Sequence, residues 1–357
     1  MRLRTRKNEV IHVSSFEQLR ARYLSGELSF SRNRLGRPVA PLEPGDVHRL
    51  SERSTEDRSR LDRLGLEAIE SGQVGVVILA GGMATRFKYD RPKALYPIMG
   101  DRTFLDLKLD WILERWPGLP VHVMTSFHTH APIDEALSSS RWQDGVSLFQ
   151  QGRMPRMRLD GQPLDAASGI ESHATPGHGE WLEAFRRAGL LDRFVAAGGR
   201  TLCFSNVDNL GATLDPLIIG RHLESGHGMT VEVARKQPGD KGGAPARVGG
   251  RIELVEGFMF PEAFDQDQLP YFNTASYCFD AMQLRGEVSL PWYVVEKEVS
   301  GERVIQFEQL AGDLSSVLDT GLIAVERDAR FIPVKSQADV PTARELLQAK
   351  QRAESLS

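Results

Sequence analysis

Between Val74 and Leu79 the chain reads VGVVIL, a run without one polar side chain and dominated by β-branched residues. A strand wetted on one face alternates apolar with polar residues. An unbroken run of this length belongs to a strand covered on both faces, the interior of a parallel sheet flanked by helices. Gly81-Gly82 follow at once and read as a tight turn off the strand's carboxyl end.

The chain around this run keeps one rhythm. Thr103 stands where a helix N-cap belongs, and Leu105, Leu109, Ile112 and Trp116 recur at helical spacing until Pro117-Gly118. Val121–Met124 reads as a strand, Trp181–Ala197 as a helix and Thr201–Ser205 as a strand. A further helix opens at Asp215-Pro216 and ends by Gly226, a strand follows at Met229–Ala234, and a helix at Pro341–Ala353. Repeated strand-helix-strand order predicts an α/β fold with a mostly parallel sheet, whose ligands gather at the carboxyl ends of the strands.

Ahead of this body, residues 1–70 are polar and charge-rich, with amphipathic pieces near Phe16–Leu24 and Leu61–Ile69 around a proline-containing connector. We therefore expect a helical N-terminal extension over 1–70, a main body over 71–340 and a C-terminal helix or tail over 341–357. The net charge of -4 supplies no global basic field for nucleic acid, and the basic arm Arg2, Arg4, Arg6, Lys7 reads as a solvated terminus. The N-terminus has no apolar core of a signal peptide, and no stretch nears the roughly 18 apolar residues that cross a bilayer. Cys203 and Cys278 lack CxxC spacing and read as reduced buried thiols. The expectation is a soluble, cytoplasmic protein with neither nucleic acid nor membrane as partner.

The loop after the first strand carries the most chemistry. Leu79-Ala80-Gly81-Gly82-Met83-Ala84-Thr85-Arg86-Phe87 leads into Pro92-Lys93-Ala94-Leu95. Paired glycines let backbone N–H groups approach a base or phosphate, and Arg86 and Lys93 offer a planar fork and a point charge to a polyphosphate. The string is neither GxxxxGK[ST] nor GxGxxG, which removes the P-loop and the dinucleotide fingerprint. By itself it is also compatible with a plain strand-to-helix turn bearing surface cations.

LAGGMATRF with PKALYP resembles the nucleotide loop of sugar-nucleotide pyrophosphorylases, GGxGTR followed by PK, with Ala84 at a glycine of that pattern. Further blocks, in the family's order, are similar to UDP-glucose pyrophosphorylases and their relatives acting on UDP-N-acetylhexosamines. FQQGRMPR at Phe149–Arg156 resembles FxQxxxPR, and PGHGE at Pro176–Glu180 resembles PGHGD. SNVDNLGA at Ser205–Ala212 resembles NxDNLGA. DKGG at Asp240–Gly243, with Arg251–Glu256, resembles the KGG block and its LxE strand. FNTAS at Phe272–Ser276 departs from FNTNN at Ala275 and Ser276, and VIQFE at Val304–Glu308 resembles VIQLE, read as core and support. RFIPVKSQAD at Arg330–Asp339 closes the series.

The resemblance, running from Leu64 to Asp339, implies a Rossmann-like nucleotidyltransferase (GT-A-like) fold. Because the chain ends some twenty residues past Lys335, it also implies no C-terminal β-helix of the eukaryotic kind. It implies UTP and a sugar 1-phosphate as partners, glucose 1-phosphate first. Leu79, Ala80, Gly81, Gly82, Gln151, Gly177 and His178 would hold the nucleotide. Asn209, Gly243, Glu256 and Asn273 would surround the sugar, and Arg86, Lys93 and Lys335 would carry the reacting phosphates. Asp208, just beyond a parallel strand, would hold Mg²⁺, a hard cation that takes carboxylate and phosphate oxygens. The altered FNTAS block leaves a UDP-N-acetylhexosamine or broad UDP-sugar pyrophosphorylase as an alternative. A catalytically idle binder of UDP-sugars is another.

Overall fold

The computed structural model describes residues 13–164, 172–237, 240 and 242–354. The basic arm and Lys241 lie outside the described residues. Eight strands form the main sheet: β1 (Val47–Arg49), β2 (Val74–Leu79), β3 (Val121–Thr125), β4 (Val146–Gln150), β5 (Thr201–Asn206), β6 (Met229–Arg235), β7 (Tyr271–Asp280) and β8 (Thr320–Ala324). Their spatial order is β1-β8-β6-β7-β5-β2-β3-β4. All neighbours pair in parallel except β7, which runs antiparallel to both β5 and β6.

Every residue of β2 is buried. Val76 and Ile78 enter one apolar layer with Ala68, Leu105, Ile218 and Leu347, while Val77 and Leu79 enter the other with Trp181, Phe185 and Phe194. Side chains alternate across a strand, so a strand sandwiched between two layers needs apolar residues at every position.

The helices begin and end where their caps stand. In α2 (Thr55–Glu70) the Ser54 hydroxyl accepts the Asp57 N–H, and Thr103 and Asp106 form a reciprocal capping box at α3 (Phe104–Leu113). Asp215 caps α7 (Pro216–Ser225), with Pro216 in the first turn and Gly226 left-handed just past the end. The C-terminal helix α9 spans Val340–Glu354.

Two expectations need correction. The helix expected over Trp181–Ala197 is two, α5 (Trp181–Arg187) and α6 (Leu190–Ala196), because Gly189 takes a φ of +64° between them. The segment before residue 70 is more than a helical extension. Besides α1 (Val13–Leu24) and α2, it supplies edge strand β1 and a short strand, Val39–Ala40, that pairs with Ala244–Val248.

The sheet changes direction beside β2: β3 and β4 step away on one side and β5 lies on the other. Such a switch point opens a crevice at the carboxyl ends of the strands. In β7, the stretch Asn273–Tyr277 faces only Val231–Val233 of β6, and in this bulge Ala275 takes a φ of +55°.

Candidate nucleotide and phosphate site

A cavity of about 490 Å³ opens at the carboxyl ends of β2, β3, β4 and β5. Leu79, Gly81, Gly82, Arg86, Lys93, Gln151, Gly177, His178, Asp208 and Lys335 all line it. Ala80 does not: it continues the sheet by donating its N–H to Met124 O at 2.8 Å and buries its methyl group in the core. A larger cavity of about 1140 Å³ lies across the wall made by Gly179 and Gln309, and none of the expected residues line it.

The glycine loop is fastened by the Lys93 N–H donating to Gly82 O at 3.0 Å. Ala84, the departure from the family's glycine, has a φ of -87° and is buried, so this backbone does not require glycine there. A methyl group on Gly82 would meet nothing within 4 Å, whereas one on Gly81 would come within 3.3 Å of Gln151 Oε1. Gln151 is only 4% exposed, yet its amide makes no hydrogen bond among the described residues. Lining the cavity, that amide keeps its donors and its acceptor available to a ligand.

Glu180 fixes the turn beside Gln151 by accepting the Gly152 N–H at 2.7 Å. It is itself held by Arg187 at 3.2 Å. His178 accepts the Ala311 N–H on Nδ1 at 3.0 Å, which leaves the ring proton on Nε2. Burial lowers its pKa while the nearby Glu308 carboxylate works the other way.

At the opposite end, Lys93 and Asp208 form an ion pair, and Lys93 Nζ lies 5.3 Å from the Phe87 ring centroid. The segment carrying Lys335 is bridged to the Asp208 loop: the Val334 N–H donates to Asp208 O at 3.3 Å, and Asn209 pairs with Pro333. The side chains of Arg86 and Lys335 make no hydrogen bond or ion pair among the described residues. Two unpaired cations beside a lysine-carboxylate pair form a receptor for a polyanion.

Asn209, expected near the sugar, sits elsewhere. It is 2% exposed, accepts the N–H groups of Gly211 and Ile332, and donates to Arg330 O. Its amide stitches two loops together, away from the residues that line the cavity. The loop after it is clamped by cations. Buried Lys108 donates to Asn209 O at 2.7 Å and Ala212 O at 2.8 Å, Lys350 of α9 donates to Gly211 O at 3.1 Å, and Arg330 donates to Thr213 O at 2.9 Å. Asp208 thus stands at the head of a rigid loop.

Gly243, Glu256 and Asn273 are grouped beside the cavity rather than on its lining. The Asn273 N–H donates to Gly243 O at 2.8 Å, and a methyl group on Gly243 would strike Glu256 Oε1 at 2.6 Å. Burial raises the Glu256 pKa, and Lys335 pulls it back, which places the two within electrostatic reach. Asn273 donates to Tyr277 Oη at 2.8 Å and accepts the Ala275 N–H, so the bulge fixes its amide. Glu308 also lines the cavity; it sits in the VIQFE block read as core and support, and which way its side chain turns depends on contacts across the fold.

Among the described residues, no three His, Cys, Asp or Glu side chains converge as a metal cage. Mg²⁺ in phosphate chemistry rarely needs one, taking one or two carboxylates together with phosphate and water oxygens. Asp208, lining a cavity beside Arg86, Lys93 and Lys335, fits that requirement.

Fold and site together define an open α/β protein whose sheet switch point holds a cavity lined by three cations and an unpartnered glutamine amide. The model of the UTP–glucose-1-phosphate uridylyltransferase family matches residues 13–354. The chain belongs to that family, and so to the nucleotidyltransferases. Similar relatives include a UTP–glucose-1-phosphate uridylyltransferase of Solanum tuberosum, 27% identical over 92% of this chain and 71% of that one. UDP-N-acetylglucosamine diphosphorylase 2 of Arabidopsis thaliana is 28% identical over 87% of this chain and 72% of that one. Among solved structures, a UDP-glucose phosphorylase from Trypanosoma brucei superposes with a TM-score of 0.75 at 26% identity, covering 92% of this chain and 74% of that one. No helix among the described residues is long and apolar enough to cross a membrane.

Proposed function

We propose that the protein joins UTP to a sugar 1-phosphate, glucose 1-phosphate first, releasing pyrophosphate and forming a UDP-sugar. The observation that carries this reading is the pairing, in one cavity, of the unpartnered Gln151 amide with the cations Arg86, Lys93 and Lys335. An amide offers a donor and an acceptor to the imide edge of uracil. The cations suit a triphosphate and a second phosphate, whose mutual repulsion is a large part of the barrier.

In this reading the phosphate oxygen of the sugar 1-phosphate attacks the α-phosphorus of UTP and pyrophosphate leaves in line. The protein contributes position and charge, with no covalent intermediate. Arg86 and Lys93 hold the triphosphate, Lys93 chiefly the leaving pyrophosphate, and Lys335 spans the sugar phosphate and α-phosphate. Asp208 would hold Mg²⁺, which supplies further neutralisation of phosphate charge when bound. Glu256 and Asn273, with the Gly243 backbone, are candidates for the sugar hydroxyls.

A second reading has its own support. The relative named for UDP-N-acetylglucosamine matches as well as those named for glucose, and Ala275 and Ser276 replace the asparagines of FNTNN. The experiment is pyrophosphate release with UTP and Mg²⁺ against glucose, N-acetylglucosamine and galactose 1-phosphates, with the other nucleoside triphosphates in parallel. Release with glucose 1-phosphate and UTP alone supports the first reading, and release with N-acetylglucosamine 1-phosphate transfers it to the second. Silence with all of them, in a folded protein that binds UTP, leaves the idle binder.

A further inference from the structure

Glu308 ends the strand Glu302–Glu308 and lines the same cavity as Gln151 and His178. Apart from Asp208 it is the only carboxylate among the described lining residues. Its two oxygens are used unequally. Oε1 accepts a hydrogen bond from the Gln306 amide and lies 3.8 Å from Lys297 Nζ. Oε2 makes no hydrogen bond or ion pair among the described residues, and the side chain is 21% exposed.

A carboxylate in a polyphosphate cavity must stand clear of the phosphates, because like charges repel and a water-poor cleft screens them weakly. Arg86, Lys93, Lys335 and Asp208 mark the phosphate end. Glu308 sits at the Gly177-His178 turn: Gly177 packs against its Cβ, the His178 ring feels its charge, and Gln151 lines the same cavity. Between the base and the phosphates of a nucleotide lies the ribose. Its vicinal hydroxyls are neutral donors, and a carboxylate with one oxygen anchored and the other free is a matched acceptor for them.

We propose that Glu308 is a specificity-determining residue that accepts a hydrogen bond from a ribose hydroxyl and so makes the site select ribonucleotides over deoxynucleotides. The proposal rests on the nucleotide reading above. The hydrogen bond would be charge-assisted, which corresponds to about 10-fold to 100-fold in affinity.

The test compares UTP, 2′-deoxy-UTP and 3′-deoxy-UTP on wild type, Glu308→Gln and Glu308→Ala, by calorimetric binding and by kcat/KM. Wild type should favour UTP over at least one deoxynucleotide by about 10-fold to 100-fold. In Glu308→Ala, UTP should weaken by that factor while the disfavoured deoxynucleotide stays within about twofold, so the preference collapses towards one. Glu308→Gln, which keeps a neutral acceptor and the side chain's shape, should fall between. A purely structural role would weaken all three nucleotides alike and leave their ratio unchanged. That result in either folded variant overturns the proposal, as does a wild type that binds all three equally. Wild type that binds UTP selectively over deoxynucleotides but releases no pyrophosphate would sink the catalytic reading and leave this one standing.

Discussion

Gly177 offers the sharpest test of how the cavity wall is built. Its φ is +86°, and a methyl group there would sit 2.4 Å from Gln309 O and 2.8 Å from Gln309 N. With ψ at 169° this is a backbone region essentially reserved for glycine, and holding an L-residue there costs at least roughly 1–2 kcal/mol. Displacing packed backbone adds about 1–3 kcal/mol. Gly177→Ala should therefore lose about 2–5 kcal/mol. With an unfolding entropy of about 2.1 cal/mol/K per residue over 357 residues, the melting temperature should fall by about 3–7 °C. Because Gly179 and Gln309 are hydrogen-bonded across the same contact, the shift should move His178 and raise the KM for UTP. Gly82→Ala is the control. Its φ is not left-handed and the added methyl group meets no protein atom within 4 Å, so it should melt within about 1 °C of wild type while crowding the nucleotide. Differential scanning calorimetry and UTP titration read both effects. Gly177→Ala melting within about 1 °C of wild type would refute the packing argument.

Other outcomes follow from the same geometry. Gln151→Ala should weaken UTP by about 10-fold to 100-fold by calorimetry and erode discrimination against CTP. Lys335→Ala should lower pyrophosphate release by roughly 10²–10³-fold with little change in melting temperature, since its ammonium has no partner to lose among the described residues. Lys108 should be visible in the pH dependence of stability. Burial pushes its pKa down to about 7, whereas the unfolded lysine titrates near 10.4. Between those values the unfolded chain holds more protons, so stability should rise with pH from about 7 to about 10. Lys108→Met should flatten that rise in urea titrations.

Much of the fold was legible because its signals are local. The β2 run, the Asp215-Pro216 start and Gly226 end of α7, and the Thr103 cap each speak through a few adjacent residues. The break at Gly189 was hidden because Ala188 and its neighbours suit a helix, and only the glycine's positive φ divides it. Three-residue β1 was hidden because so short a strand carries no period to read. Within the site, the glycine loop, Gln151, Asp208 and Lys335 could be singled out because they sit in compact motifs. The hydrogen bonds of Asn209 could not be read from its motif, since its amide pairs with Arg330 and Ile332, more than a hundred residues downstream. Glu308 reads as the end of an apolar strand until the fold places it on the lining of the cavity.

The outermost pairing of the sheet also sets a schedule for the growing chain. Val47 of β1 lies opposite Leu322 of β8, roughly 275 residues later. At about 5–20 residues per second on the ribosome, β1 waits about 14–55 s for its partner to be made. During that interval the N-terminal segment has nothing to dock its strand against, although α2 can already meet α7. The three strands β2 to β4 can pair while translation continues, whereas the edge formed by β8 and β1 closes only after residue 324 has been made. Premature release before residue 320 would leave a molecule with its glycine loop formed and its Lys335 segment unmade.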